Sequence, residues 1–229
     1  MMKKSFSSAL VFLMAFVQFA FAQTSREEIK LRDFNAVSVS HGIKARLVKG
    51  NENKIEITAS GIAMDRVETS VKDETLQVRL AKGNFKNHVV DVVITYRDIQ
   101  GLEATSNASI IATAPIEAVE AYVFATTGAY IEAKIEAELM NVEIATNAKV
   151  FLSGEADRLN IKAYTNAELD GKRFEADHVN ILANTASKAS FTVGSTMEGS
   201  VATAAKVFYS GNPSTLDIKT STGGAISKQ

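Results

Sequence analysis

The sequence predicts an all-β protein whose C-terminal half is a parallel β-solenoid with coils of about 19 residues. A short segment recurs seven times between residues 101 and 229, and its apolar residues alternate with polar ones. An asparagine or glycine follows a recurring threonine in most copies. Repetition at a fixed period is the signature of a solenoid, and alternation with period two is the signature of a strand.

The recurring segment aligns on one threonine or serine in each copy. Successive anchors are separated by 21, 19, 19, 20, 18 and 19 residues. This period is shorter than that of the common helical repeats. The anchors are Ser106, Thr127, Thr146, Thr165, Thr185, Thr203 and Thr222.

Within one copy, Leu159, Ile161, Ala163 and Thr165 are predicted to face one side, with polar residues between them. Stacked coils pair each strand with the strands above and below at a spacing of about 4.8 Å. Since a single coil cannot bury its inward residues alone, the stack is expected to form one continuous core.

The residue after the anchor predicts a corner in the chain. Asparagine and glycine tolerate a positive φ better than other residues, so we expect a left-handed turn here. Stacked asparagines would also form a ladder of side-chain hydrogen bonds, and the alternative interpretation is a ligand-binding stripe. The residues concerned are Asn107, Gly128, Asn147, Asn166 and Gly223.

A second periodic feature is acidic. Glu117, Glu138, Asp157 and Asp177 fall 11 or 12 residues after successive anchors. The favoured interpretation is a solvated corner, and the alternative is a calcium site. The glycine-rich nonapeptide of calcium-binding β-repeats is absent from the sequence.

Residues 26–100 show no obvious copy of the repeat but still read as strands, and they are interpreted as an irregular β cap. Residues 67–80 contain two runs divided by Lys72-Asp73-Glu74, and residues 89–96 form a longer apolar strand. A cap of this kind would close the end of the solenoid, which would otherwise expose unpaired strand edges.

The first 22 residues are predicted to be a signal peptide. Lys3 and Lys4 precede an apolar run, which ends at the cleavage pattern Ala20-Phe21-Ala22. A retained membrane anchor is the alternative, but the apolar run is short for a spanning helix. The mature chain would comprise residues 23–229, a single domain with the cap at 26–100 and the coils at 101–229. No later stretch approaches the length of a transmembrane helix.

The composition excludes several classes of protein. The sequence contains no cysteine, so disulfides and attachment of a lipid to cysteine are excluded. Removal of residues 1–22 leaves 23 basic and 26 acidic residues, a net charge of −3. Such a balance, without a basic block, argues against nucleic acid as a partner.

The chain resembles the family of putative auto-transporter adhesins with a head GIN domain, a domain of unknown function in bacterial envelope proteins. The resemblance covers about residues 34–215 and rests on Gly42 to Gly50, Lys72 to Val78 and Val92 to Tyr96. It implies a right-handed parallel β-helix (solenoid) and an adhesin-like role. The chain departs from the family at Ser106-Asn107-Ala108, where members often carry a Gly-Ser-Gly turn.

The residue types and their spacing indicate no catalytic, cofactor or metal site, and we predict that the protein is not an enzyme. His41, His88 and His178 are far apart in sequence and lack the spacing of metal ligands. No nucleophile elbow or phosphate-binding loop occurs. A polysaccharide-degrading β-helix enzyme would need paired carboxylates on one face, and the aspartates are scattered.

Outward positions instead carry a mixed stripe, and exposed aromatic residues offer a contact for sugars. Tyr122, Phe124 and Tyr130 are predicted either to stack on a glycan or to pack against the N-terminal strands, which is the favoured interpretation. The predicted function is an exported, non-catalytic envelope protein that binds a glycan or a protein. A structural or stress-linked envelope component without a ligand is the alternative. The sequence indicates no oligomeric state. The stripe comprises Ser109, Tyr130, Lys149, Glu168, Lys188 and Lys206.

Overall fold

The computed structural model describes residues 24–229, so the predicted signal peptide at residues 1–22 lies outside the described residues. The strands are β1 Thr24–Lys30, β2 Ala36–Val39, β3 Lys44–Lys49, β4 Lys54–Ser60, β5 Val67–Lys72, β6 Thr75–Leu80, β7 Val89–Tyr96, β8 Gly101–Ala104, β9 Ser109–Ala112, β10 Ile116–Ala125, β11 Tyr130–Ile144, β12 Lys149–Ala163, β13 Glu168–Ala183, β14 Lys188–Ala202, β15 Lys206–Ser210, β16 Thr215–Ser221 and β17 Ala225–Lys228. A 3-10 helix at Met64–Arg66 precedes β5.

The predicted solenoid is confirmed: from β8 onward the strands of successive coils pair in parallel, about 19 residues apart. The coils form three parallel sheets, and the coils of β8–β9 and β16–β17 contribute only to sheets A and B. Sheet A contains β8, residues 121–125, 140–144, 159–163, 179–183 and 197–202, and β16. Sheet B contains β9, residues 130–134, 149–153, 168–171 and 188–191, β15 and β17. Sheet C contains residues 116–120, 135–139, 154–158, 173–178 and 192–196.

The predicted left-handed corners are confirmed between sheets A and B, and each comprises two residues rather than one. Thr146 has φ +51° and Asn147 has φ +61°, and both positions have positive φ in all seven coils. The N–H of Ala148 closes the turn on the carbonyl of Ala145 at 3.2 Å. Two successive positive φ values in such a turn are typical of type I′.

Threonine at positive φ is uncommon because its branched side chain crowds the backbone. In this fold its carbonyl is held by the neighbouring coil: the N–H of Asn147 donates to the oxygen of Thr165 at 3.0 Å, and the N–H of Asn166 donates to that of Thr185 at 2.9 Å. A ladder of backbone bonds therefore runs along the corner. The prediction that Thr165 faces the core was wrong, because the turn places its side chain in solvent.

The inward residues form one core, as predicted. Leu159, Ile161 and Ala163 are buried, and the residues directly above and below them in sheet A are apolar as well. An alanine follows five of the seven corners and is buried in each, as at Ala148 and Ala167, and the buried Ser187 takes its place in a sixth. Small side chains at these positions allow sheet A to turn tightly into sheet B.

The N-terminal strands extend the sheets of the solenoid. Residues 36–49 form a further coil, although no copy of the repeat was recognised in this part of the sequence. β2 pairs in parallel with β8, and β3 pairs in parallel with β9. Its corner is His41-Gly42, with φ +62° and +71°. The N–H of Gly42 donates to the carbonyl of Ser106 at 2.9 Å, so this corner continues the ladder.

Two antiparallel ribbons cover this first coil. The predicted turn at Lys72-Asp73-Glu74 joins β5 to β6, and β6 pairs with β2 in sheet A. The strand predicted at residues 89–96 is β7, which pairs with β3 in sheet B. Strands β4 and β1 then add to β7 in antiparallel order. The predicted cap is therefore a continuation of sheets A and B.

Candidate functional site

The outer face of sheet A carries two columns of aligned side chains. Because the strands are in register, outward residues at equivalent positions lie one above another along the solenoid. The first column is Tyr122, Asn141, Asn160 and Asn180, and the second is Glu103, Phe124, Glu143, Lys162 and Leu182.

Tyr122 lies over Gly101, where sheet A offers no side chain. A Cβ added to Gly101 would stand 2.3 Å from the ring, so any other residue there would push the ring away. The Tyr122 hydroxyl donates a hydrogen bond to Oε1 of Glu103 at 3.1 Å. Burial, followed by the nearby Glu103 carboxylate, raises the pKa of Tyr122 to about 12. The hydroxyl is therefore a donor at neutral pH, and it fixes the Glu103 carboxylate.

The amide side chains of the first column form a ladder. Nδ2 of Asn160 donates to Oδ1 of Asn141 at 2.9 Å, and Nδ2 of Asn141 donates to Oε1 of Glu120 at 3.0 Å. The sequence predicted a ladder of this kind at the corner asparagines and not on the outer face of sheet A. Among the described residues, the side chains of Asn107, Asn147 and Asn166 make no such bond, and Gly128 interrupts their column.

These residues surround an open depression of about 380 Å³ on the outer face. It has an aromatic surface from Tyr122 and Phe124 and polar groups of three kinds: carboxylate, amide and ammonium. Apolar surface with a few fixed polar groups is the usual composition of a ligand site. We call this group the Tyr122 patch: Glu103, Tyr122, Phe124, Asn141, Glu143, Asn160 and Lys162.

The third predicted aromatic residue lies on a different sheet. Tyr130 faces outward from sheet B, where its ring is 5.4 Å from that of Phe151, centroid to centroid. Its hydroxyl donates to Oε2 of Glu132 at 2.7 Å. Partial burial and this carboxylate raise the pKa of Tyr130 to about 12. The contacts of Tyr122 are with β8, and those of Tyr130 are with its own strand and with β12. These contacts lie within the coils and not against the N-terminal strands, where packing was the favoured interpretation.

The mixed outward stripe predicted from the sequence is confirmed as one column of sheet B. Its members pair in register from coil to coil. Nζ of Lys149 lies 3.9 Å from Oε2 of Glu168, the one close charge pair along it. The column comprises Ser109, Tyr130, Lys149, Glu168, Lys188 and Lys206.

The acidic residues lie on sheet C, but in two columns rather than the predicted one. Glu138, Asp157 and Asp177 share a column, whereas Glu117 pairs with Glu136. The column of Glu117 continues through Glu155 and Glu175, and Nζ of Lys134 lies 2.6 Å from Oε1 of Glu136. Within residues 24–229, no group of three or more acids or histidines has the geometry to hold a metal ion.

The three histidines occupy separate elements, although two of them line one depression of about 740 Å³. His41 is at the first corner and His88 precedes β7, where its ring meets Phe85 edge-on. His178 is exposed on sheet C, and its Nδ1 lies 2.8 Å from Oγ1 of Thr196. Sequence separation thus failed to predict that His41 and His88 line the same depression.

Comparison with known proteins identifies a family and a fold. Residues 33–213 match the family described as putative auto-transporter adhesin, head GIN domain. A search of curated proteins found no match. Within residues 24–229 no helix has the length and hydropathy that a membrane span requires.

Several solved structures share the fold at low identity. A putative adhesin from Bacteroides fragilis NCTC 9343 has a TM-score of 0.81 and 14% identity, over 90% of this chain and 97% of that chain. A putative adhesin from Parabacteroides merdae ATCC 43184 has a TM-score of 0.67 and 19% identity, over 90% and 96%. A putative lipid binding protein from Parabacteroides distasonis ATCC 8503 has a TM-score of 0.56 and 16% identity, over 90% and 96%.

Proposed function

Because the chain belongs to the family of putative auto-transporter adhesins with a head GIN domain, we propose that it is an exported, non-catalytic, adhesin-like protein. We propose further that it binds a glycan on the Tyr122 patch. Proteins of this fold that have been solved include putative adhesins, which supports a role in binding at the cell surface. The choice of glycan as the ligand rests on the patch itself.

The observation that carries the proposal is an aromatic surface beside a row of amides. Tyr122 lies against the sheet over Gly101, and Asn141 and Asn160 stand in its column. A sugar ring has an apolar face that packs on an aromatic ring, and its hydroxyls both donate and accept hydrogen bonds. Amide side chains also donate and accept. The column therefore supplies a stacking surface at Tyr122 and hydrogen-bonding groups at Asn141 and Asn160. A linear glycan lying along the solenoid axis would contact them in that order.

The charges of the patch narrow the class of glycan. Glu103 and Glu143 are acidic, Lys162 is basic, and Glu120 lies at the edge through its bond to Asn141. Acidic groups outnumber the basic one, so a uronic acid or sulfated sugar would meet repulsion. We therefore propose a neutral or amino sugar as the preferred unit.

The open position of the carboxylates supports binding rather than catalysis. A general acid in a glycosidase is usually a carboxyl group in an apolar pocket that raises its pKa. Glu143 is exposed and Glu103 is only half-buried, and the depression opens to solvent. The patch is thus suited to hold a chain of sugars without hydrolysing it.

The test is binding of the full chain, expressed for export and purified, to an array of neutral, amino and acidic glycans, matrix proteins and lipid vesicles. Tyr122→Ala combined with Phe124→Ala should weaken glycan binding at least about tenfold, because two stacking contacts are lost. Tyr130→Ala combined with Phe151→Ala is the matched control on sheet B and should bind normally. Equal loss in both double variants, or binding to vesicles alone, would contradict the proposal.

Export is tested by the N-terminus of the protein recovered from outside the cytoplasm. Cleavage after Ala22 leaves Gln23 as the first residue, which intact-mass measurement identifies. A recovered chain that still carries Met1 would contradict signal-peptide cleavage and favour the retained anchor.

A further inference from the structure

The last coil leaves two strand edges unpaired within residues 24–229. β16 pairs with β14 on one edge only, and β17 pairs with β15 on one edge only. The inward side chains of β16 are correspondingly open: Leu216 is 47% exposed, whereas Met197 directly beneath it is fully buried. Ile218 is half-buried. The core of the solenoid therefore reaches the surface at this end.

The opposite end of the solenoid is protected in the ways that usually prevent strand addition. The edge strand β1 carries four charged side chains, Arg26, Glu27, Glu28 and Lys30. On the other edge strand, β5, the guanidinium of Arg32 donates to the carbonyl of Val71. At the C-terminal end β16 carries two charged side chains, Asp217 and Lys219, but it also leaves Leu216 47% exposed beside the free edge, which indicates a surface that another strand covers.

The hydrogen-bonding groups on the free edge of β16 follow from the ladder. In earlier coils of sheet A, outward residues bond back to the preceding coil: the N–H of Tyr122 donates to Gln100 and that of Tyr164 to Ile144. β16 continues the same register, so outward Asp217 and Lys219 bond back to β14. The inward residues Leu216, Ile218 and Thr220 then point their N–H and C=O groups to the free edge.

We propose that β16 pairs antiparallel with β16 of a second copy of this chain, around a two-fold axis at Ile218. In this register Leu216, Ile218 and Thr220 face Thr220, Ile218 and Leu216 of the second copy. All of these residues have free backbone groups. Asp217 then faces Lys219 of the second copy, and Lys219 faces its Asp217. These are the non-hydrogen-bonded pairs, in which opposing side chains are closest.

The charges select this register over its neighbours. A shift by one residue would turn inward side chains outward. A two-fold axis at Asp217 would place Asp217 opposite Asp217 of the second copy, and an axis at Lys219 would place Lys219 opposite Lys219. Like charges directly opposite each other are destabilising. Only a centre at Ile218 makes both charge pairs attractive, covers Leu216 on both chains and satisfies the free backbone groups.

The proposed contact is isologous, so it closes at two copies and does not propagate into a fibre. The axis is normal to sheet A, and both outer faces therefore remain on the same side of one continuous sheet. This pairing does not depend on the proposed glycan binding. If both hold, the dimer presents two Tyr122 patches to the same surface and gains avidity from them.

The test is the oligomeric state of the purified full chain, measured by sedimentation equilibrium over a range of concentrations. The wild-type chain should dimerise. Lys219→Asp should weaken the dimer on the order of tenfold to a hundredfold, because two attractive pairs become repulsive. Asp217→Lys should do the same for the opposite charge.

Two further samples separate this contact from misfolding or from another interface. The double variant Asp217→Lys with Lys219→Asp exchanges the charges and should dimerise like the wild type. An equimolar mixture of the two single variants should form heterodimers, because each chain then faces the opposite charge. A monomeric wild-type chain, single variants that dimerise normally, or a double variant that stays monomeric would each overturn the proposal.

Discussion

The substitution Thr165→Pro tests the corner ladder most directly. Thr165 has φ +50°, and the proline ring fixes φ near about −65°. The backbone would therefore have to rotate by roughly 115° at a residue whose neighbours are held by both adjacent coils. The exposed side chain of Thr165 contributes no core packing, so the effect of the substitution is a backbone effect.

The cost can be worked out from the hydrogen bonds of this turn. Each is worth about 1 kcal/mol, so their loss should lower the free energy of unfolding by about 3 kcal/mol. The bonds are Ala167 N–H to Tyr164 at 3.1 Å, Asn147 N–H to Thr165 at 3.0 Å and Asn166 N–H to Thr185 at 2.9 Å.

The assay is urea unfolding followed by circular dichroism, with Thr165→Asn as the matched control. Asparagine adopts positive φ readily, so the control should unfold at the wild-type midpoint or slightly above it. Midpoints that agree for the proline and asparagine variants would refute the assignment of this corner.

Three other outcomes follow from the same structure. Ile161→Asp should cost at least about 4 kcal/mol, because a buried side chain is lost and an unpaired carboxylate replaces it, whereas Ile161→Val should cost about 1 kcal/mol; thermal unfolding would distinguish them. Asn147→Val should cost about 1–2 kcal/mol more than Asn147→Gly, since valine resists a φ of +61°, and equal melting temperatures would count against this. The pKa values of Tyr122 and Tyr130 are raised to about 12. Both tyrosines therefore stabilise the folded state fully below about pH 10. Their contribution to the free energy of unfolding should be lost between about pH 10 and 12, because tyrosines ionise first in the unfolded chain. Tyr122→Phe should reduce that fall.

The period and the corners were predictable because each depends on local properties. Alternation of apolar and polar residues sets which side of a strand is buried, and Ile161 and Lys162 fall on opposite sides as predicted. Asn147 and Gly128 were predicted to have positive φ from their residue types alone, and they do. The exceptions are the anchor residues such as Thr165, whose positive φ is held by a bond from another coil and is not indicated by the residue type.

The acidic columns show why counting from a corner misplaces residues. The coil between Ser106 and Thr127 is two residues longer than the next one, and the extra residues precede sheet C. Counted backward from the following threonine, Glu117 and Glu136 are both ten residues away, and Glu138 is eight. The same backward count places Tyr122, Asn141 and Asn160 at five residues, which is the sequence signal for the amide ladder.

The sequence by itself determined that this chain is a stack of short parallel strands with left-handed corners. Periodicity follows from the spacing of residues along the chain, and tolerance of positive φ follows from the type of each residue. The tertiary structure alone decided which outward side chains meet. The register between coils depends on where each coil accommodates its extra residues, and it changes at irregular positions such as Phe151 to Ser153. The Tyr122 patch and the self-complementary edge of β16 exist only once that register is set.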